Sequence, residues 1–257
     1  TSLIIRSLGA LAKFAYQRAA AITVISKGFK SNLINKGVPE EKITVIPNWG
    51  DDTIYSPVER DPAFGDQHGL NGYFNVIFAG TMGPAQNLQT VIQAAERLQD
   101  LPKFQFVLIG DGLDLPDLKA ATAEKNLSNV RFIERQPADK MPQFFAWGDV
   151  MLVQLRSDPL FHMTIPSKTL AYLACACFIV CAVPGDGSEV VEQAGAGLTC
   201  APDDPQALAD TLRRAYALPA AERQAMGQAG RAAFLERFNR AHLVDDYESL
   251  FKRLIKS

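Results

Sequence analysis

The chain has 257 residues, of which 47% are hydrophobic and 21% charged, and a formal net charge of −2. These values describe a folded chain of one large domain or two smaller ones and exclude a disordered one. Near-neutral charge also argues against nucleic acid as a partner, because a protein that tracks phosphates carries a concentrated basic excess. From the amino end, "SLIIRSLGALAKFAYQRAAA" reads as a helix mixing apolar residues with Arg6, Lys13 and Arg18. Such a helix fits either an anionic membrane surface or a neighbouring domain, its basic face then being solvated. Short β-branched runs follow: "AITVIS", "KITVIPN", "FNVIFAG", "FQFVLIG", "VRFIE", "DVMLVQL", "CFIVCAV" and "AGLTC". Between them lie helical patterns such as "QNLQTVIQAAERLQ", "DLPDLKAATAEKN" and "PSKTLAYLACA". Strands alternating with helices predict an α/β fold, a doubly wound parallel sheet with helices on both faces.

Asn48 to Gly72 is rich in Gly, Pro and Asp and shows no periodic element, so the expected linker is 51–72. Residues 1–50 before it hold one helix and two strands by this reading, too few for a core. Residues 73–240 read as a complete Rossmann-like domain, and 241–257 as a final helix returning toward the first segment. The opening at Thr1, inside a helical pattern, leads us to expect a longer natural chain. No apolar run reaches the ~20 residues that a membrane-spanning helix needs, and no signal peptide with a cleavage site is evident. The expected location is therefore cytoplasmic, with membrane contact only at a surface. Cys175, Cys177, Cys181 and Cys200 lie in apolar surroundings without a histidine at ligand spacing, as small buried hydrophobes do.

In an open α/β sheet, ligands bind beyond the carboxyl ends of the strands. The turns there are Gly80-Thr81-Met82-Gly83, Gly110-Asp111-Gly112, Arg135-Gln136-Pro137, Arg156-Ser157-Asp158-Pro159 and Pro184-Gly185-Asp186-Gly187-Ser188. Glycine in such turns lets backbone approach a ligand or adopt positive φ. On one edge of one sheet, these turns favour a cleft for a phosphorylated ligand. "IPSKTL" then places Lys168 near the start of an apolar helix, with Thr164 or Ser167 as its cap. A helix start disfavours a cation unless a bound anion reverses the balance. A lysine reaching back to solvent is the alternative. "DGLD", Asp111 to Asp114, imitates an Asp-x-Asp metal motif, but its βα-loop position favours simple solvation, and no metal is expected. His68 and His242 read as surface residues.

The stretches "AITVISKGFKSNLINKGVPEEKITVIPNWGD", "FAGTMGPAQNLQTVIQAAERL", "LIGDG", "DPLFHMTIPSKTLAYLACA" and "EVVEQAGAGLTCAPDDPQALADTL" together resemble the retaining GT-B glycosyltransferases related to glycogen synthase. Within them the chain is most similar to bacterial N-acetylfucosaminyl and N-acetylhexosaminyl transferases of surface-polysaccharide synthesis. The resemblance covers the end of that family's acceptor-side N-terminal domain and its whole donor-binding domain. It implies transfer of a sugar, an N-acetylated amino sugar, from a UDP-sugar to a polyprenyl-linked saccharide acceptor in lipopolysaccharide or capsule synthesis. It further implies retention at the anomeric carbon, no cofactor, and peripheral contact with the inner face of the plasma membrane. By the same resemblance Gly80, Thr81, Gly83 and Gln86 would face the donor diphosphate and the acceptor side. Gly110, Asp111, Arg135 and Gln136 would surround the nucleotide base. Ile165, Pro166, Ser167 and Lys168 would hold the pyrophosphate and sugar, with Lys168 the main charge on the leaving group.

The sequence departs from that pattern. Where many members have an Arg and a Lys after the first glycine turn, it has Thr81 or Met82 and Gln86. The paired glutamates become Met163 and Ala171, and Ala176 replaces a common glycine. A nucleotide-sugar epimerase can share the fold but needs acid/base residues clustered at the sugar, and none is evident. A nucleotide-binding module without turnover is the other alternative. A dinucleotide-dependent oxidoreductase is disfavoured by the missing Gly-x-Gly-x-x-Gly with its downstream acid.

Overall fold

The computed structural model describes residues 3–256. Helix α1 (Leu3–Arg18) leads to β1 (Ile22–Val24), α2 (Lys27–Asn35), β2 (Ile43–Val45) and α3 (Pro62–His68). Then come β3 (Phe74–Ala79), α4 (Gln89–Glu96), β4 (Phe104–Ile109), α5 (Leu115–Glu124), β5 (Val130–Ile133), α6 (Met141–Ala146) and β6 (Val150–Gln154). The chain continues through α7 (Ser167–Ala174), β7 (Ile179–Ala182), α8 (Asp186–Gln193), β8 (Gly197–Thr199), α9 (Pro205–Ala217), α10 (Ala220–Arg237) and α11 (Arg240–Lys256). All eight predicted runs form strands.

β1 and β2 pair in parallel, Ile22 opposite Ile43. The other six form one parallel sheet in the order β5-β4-β3-β6-β7-β8, so the winding reverses between β3 and β6. Both faces are covered, which is why "FNVIFA" and "FQFVLI" are nearly continuous apolar runs. On β3, Val76 and Phe78 enter the core beneath α4, α5 and α9, while Ile77 and Ala79 enter the core beneath α6, α7, α8 and α10. Val76, Ile77 and Phe78, all fully buried, each stabilise the fold by roughly 1.5–3 kcal/mol.

Before β3, two elements escaped the sequence reading. The first is α2, capped by Ser26, whose Oγ accepts the Phe29 N–H at 3.2 Å. It buries Leu33 with Val24, Val38 and Ile43, so the first segment has two helices and a small core of its own. The second is α3, inside the stretch read as lacking any element. Asp61 caps it through the Ala63 N–H, proline opens it, and Gly69 closes it at φ 64°. His68, expected at the surface, is half-buried between Phe64 and Phe144, with ring centroids at 4.4 and 4.8 Å, and desolvation lowers its pKa.

The first segment is tied to the large sheet by specific bonds. Ser26 Oγ donates to the Met163 carbonyl at 2.6 Å, and the Gly28 N–H donates to Asp186 Oδ2 at 2.8 Å. Returning at the end of the chain, α11 packs Leu243 and Leu250 on Ile46. On α1, Ile4, Ile5, Leu8, Leu11 and Phe14 are 57–70% exposed. Among the described residues no helix is long and apolar enough to cross a membrane.

Candidate functional site

The recorded ladder between β3 and β6 has two rungs, Val76–Val150 and Ile77–Met151. Beyond them, the Ala79 N–H donates to the Tyr172 hydroxyl of α7 at 3.2 Å. Residues four apart share a helix face, so Lys168 stands one turn before Tyr172 and is delivered to the same place. There the winding reverses, the position at which open α/β sheets form their ligand crevice.

The Lys168 ammonium has no solvent contact and no hydrogen-bond partner among the described residues. Nζ lies 3.6 Å from the centroid of the Phe78 ring, whose quadrupole attracts the cation. A methyl at Gly80 would stand 3.0 Å from it. Burial pulls the Lys168 pKa down to about 7. Pro166, with no side-chain hydrogen bond, occupies the cap of α7. Neither predicted cap serves: the Thr164 hydroxyl donates to the Leu160 carbonyl at 2.9 Å, and Ser167 is the first helical residue and exposed. The positive end of the helix dipole therefore adjoins the lysine without a side-chain cap.

Beside this lysine, two glycine turns lie backbone on backbone. A methyl at Gly110, φ 142°, would fall 2.0 Å from the Gly80 carbonyl oxygen. The Met82 N–H donates to the Asp111 carbonyl at 2.7 Å. Met82 is buried in the core, Thr81 is exposed, and Gln86 folds back so that Oε1 accepts the Gly83 N–H at 3.2 Å. Gly80, Gly110, Asp111, Pro166, Ser167 and Lys168 are thus gathered at neighbouring strand ends. Arg135 and Gln136 follow the edge strand β5, two strands from β3 and so roughly 10 Å away. Arg135 is exposed, and Gln136 Nε2 donates to the Glu134 carbonyl at 3.1 Å. Ile165 lines a separate cavity of about 370 Å³ with Ser26, Pro47, Asp186, Glu189 and Phe238.

Met163, which packs beside Gly28, and buried Ala171 carry no carboxylate. No group of three His, Cys, Asp or Glu side chains among the described residues could hold a metal ion. The sequence reading missed Phe78 and Tyr172. Apolar runs show which residues are buried, not that one ring supports an ammonium or that one hydroxyl replaces a strand partner.

The profile described as "Glycosyl transferases group 1" matches residues 73–217, more than half of the chain. The chain belongs to the group 1 glycosyltransferases. It is 29% identical over 212 residues to WbjE of Pseudomonas aeruginosa, named a probable glycosyltransferase, covering 81% of this chain and 52% of the relative. WcaI of Escherichia coli (strain K12), a glycosyl transferase named for colanic acid biosynthesis, is 26% identical over 204 residues, covering 77% and 50%. The chain therefore spans about half the length of these relatives. Among solved structures, Anabaena Alr3699/HepE in complex with UDP superposes with a TM-score of 0.82 at 19% identity, over 94% of this chain and 66% of that one. A glycosyltransferase of Rickettsia africae ESF-5 gives 0.81 at 13% identity, over 92% and 64%. The six-stranded parallel sheet is thus that of GT-B glycosyltransferases.

Proposed function

We propose that this chain is the donor-binding part of a glycosyltransferase that takes its sugar from a UDP-sugar. The observation that carries the reading is the buried, unpartnered Lys168 ammonium beside the uncapped start of α7. A cation held out of water with no counter-charge is expensive, and an anion delivered to that spot supplies the missing partner. A diphosphate fits: first-turn N–H groups of α7 can donate to one phosphate while Lys168 donates to the other. UDP is the favoured nucleotide because the structurally similar HepE was solved with it.

In the reaction, the bond from the anomeric carbon to the β-phosphate oxygen breaks and a bond from that carbon to an acceptor oxygen forms. The acceptor hydroxyl loses its proton, and UDP departs. Charge accumulates on the departing phosphate, where a preorganised ammonium and helix start stabilise the transition state more than the ground state. Retention, an N-acetylated amino sugar and a lipid-linked acceptor in surface-polysaccharide synthesis complete the proposal. Retention and the lipid-linked acceptor rest on the resemblance, surface-polysaccharide synthesis also on the relative named for colanic acid biosynthesis, and the amino sugar also on N-acetyl-alpha-D-glucosaminyl L-malate synthase of Bacillus anthracis, 21% identical over 253 residues.

Calorimetric titration with UDP and ADP tests the reading. Saturable UDP binding that weakens about tenfold or more in Lys168→Ala supports it, on the scale of a hydrogen bond between charged groups. UDP binding unchanged in that variant would overturn the role of Lys168.

A further inference from the structure

Lys168 is not the only polar group stranded at the crevice. Gln154, the last residue of β6, is 0% exposed, and neither Oε1 nor Nε2 has a hydrogen-bond partner among the described residues. Val150 and Leu152, four and two positions earlier, enter the core beneath α4, α5 and α9, so Gln154 points to that face. Val76 and Phe78 do the same on β3, and Gly80 shares their parity. β3 and β6 are parallel neighbours, so their carboxyl ends bring Gly80 and Gln154 to the same edge of the sheet. Lys168 Nζ, against Phe78 and Gly80, reaches this same corner from the helix on the other face.

At the opposite end of the sheet a pair of buried amides serves structure alone. Asn75 and Gln105 stand opposite each other on β3 and β4, both buried. Asn75 Nδ2 donates to the carbonyls of Leu70 and Trp147, each at 3.0 Å, and Gln105 Nε2 donates to Asn75 Oδ1 at 2.7 Å. That network is satisfied within the protein. The Gln154 amide is not, although orphaned buried amides are costly and rare.

We propose that Gln154 is a positioning residue for Lys168 in the donor-bound state. Its Oε1 accepts one hydrogen of the ammonium and turns the remaining two toward the diphosphate. This rests on the donor-site reading above and adds to it a residue that acts through the lysine. Because both amide atoms are unpartnered without ligand, an apolar side chain of similar size leaves the fold intact.

The test is calorimetric titration of UDP and of uridine into the unmodified chain, Gln154→Leu, Lys168→Ala and the double variant, with thermal melting of each. Gln154→Met serves as a second variant should Gln154→Leu fail to fold. The expected result is UDP binding weakened about tenfold by Gln154→Leu, uridine binding unchanged, an undiminished Tm, and no further UDP loss when the change is added to Lys168→Ala. Equal UDP affinity in Gln154→Leu would overturn the proposal while leaving the donor site standing. So would an equal loss with and without Lys168, or a lowered Tm with unaltered UDP affinity. An unmodified chain that binds no UDP would overturn the donor-site reading and this proposal with it.

Discussion

Gly80 and Lys168 are fitted to each other: a methyl on Gly80 would lie 3.0 Å from the ammonium, and its φ of 140° is one that other residues rarely adopt. Gly80→Ala is expected to cost about 1–3 kcal/mol of stability through backbone strain and to displace the lysine. UDP titration of the folded variant should show weakened binding, and unchanged affinity would show that the lysine needs no such space.

The two glycine turns differ in how much they tolerate. Gly110→Ala would drive a methyl to 2.0 Å from the Gly80 carbonyl oxygen, whereas the nearest atom to a methyl at Gly83 is Gln86 Oε1, 3.7 Å away. Denaturant unfolding should find Gly110→Ala strongly destabilised and Gly83→Ala within about 0.5 kcal/mol of the unmodified chain. Comparable losses in both would contradict the packing of one turn on the other.

Lys168 couples ligand binding to protons. Its pKa lies near 7 in the folded chain against 10.5 for an ordinary lysine, so above about 7 the folded state holds fewer protons than the unfolded state. Stability contributed by this group therefore rises with pH between those two values, and Lys168→Met should remove that rise. A bound diphosphate restores the charge, so UDP binding above about pH 7 should take up a proton and weaken as pH climbs. Calorimetry in buffers of different ionisation enthalpy detects the uptake; its absence would mean that the ammonium stays charged throughout.

Ala176 follows α7 at φ 55°, the left-handed position that favours glycine at a helix end. The family resemblance leads to an expected glycine at this position, and the conformation is one that glycine adopts without penalty. Ala176→Gly should raise stability by about 1 kcal/mol in chemical denaturation, and a loss would refute the assignment of strain.

The four thiols should be slow to react. Burial raises Cys175 and Cys181 to about 12, Cys177 well above its ordinary value and Cys200 to about 11. A thiol reagent at about pH 8 is expected to modify partly exposed Cys200 first and all four only on unfolding. Rapid labelling of Cys177 in the native chain would refute this burial.

The sheet was legible because each strand is an apolar run bounded by turn residues, and a buried parallel sheet requires little else. The short helices α2 and α3 were not, since one turn or two of amphipathic pattern resembles loop composition. At the site, the glycine turns and Lys168 could be found from their places after strands. The lack of a side-chain cap on α7 could not, because Thr164 and Ser167 both have the right chemistry and only φ and ψ decide which residue begins the helix. Gln154 carried a signal, a single amide in "DVMLVQL", but burial and the absence of partners are properties of the fold.

The anchoring of α7 bears on how the site can respond. Leu170 to Leu173 are buried against the sheet, and Tyr172 is bonded to Ala79, so this helix cannot shift without unpacking the core. The lysine one turn earlier can turn about its own side-chain bonds while the helix stays in place. If a diphosphate binds as proposed, it meets a helix start already fixed by the core and needs only the lysine to turn toward it.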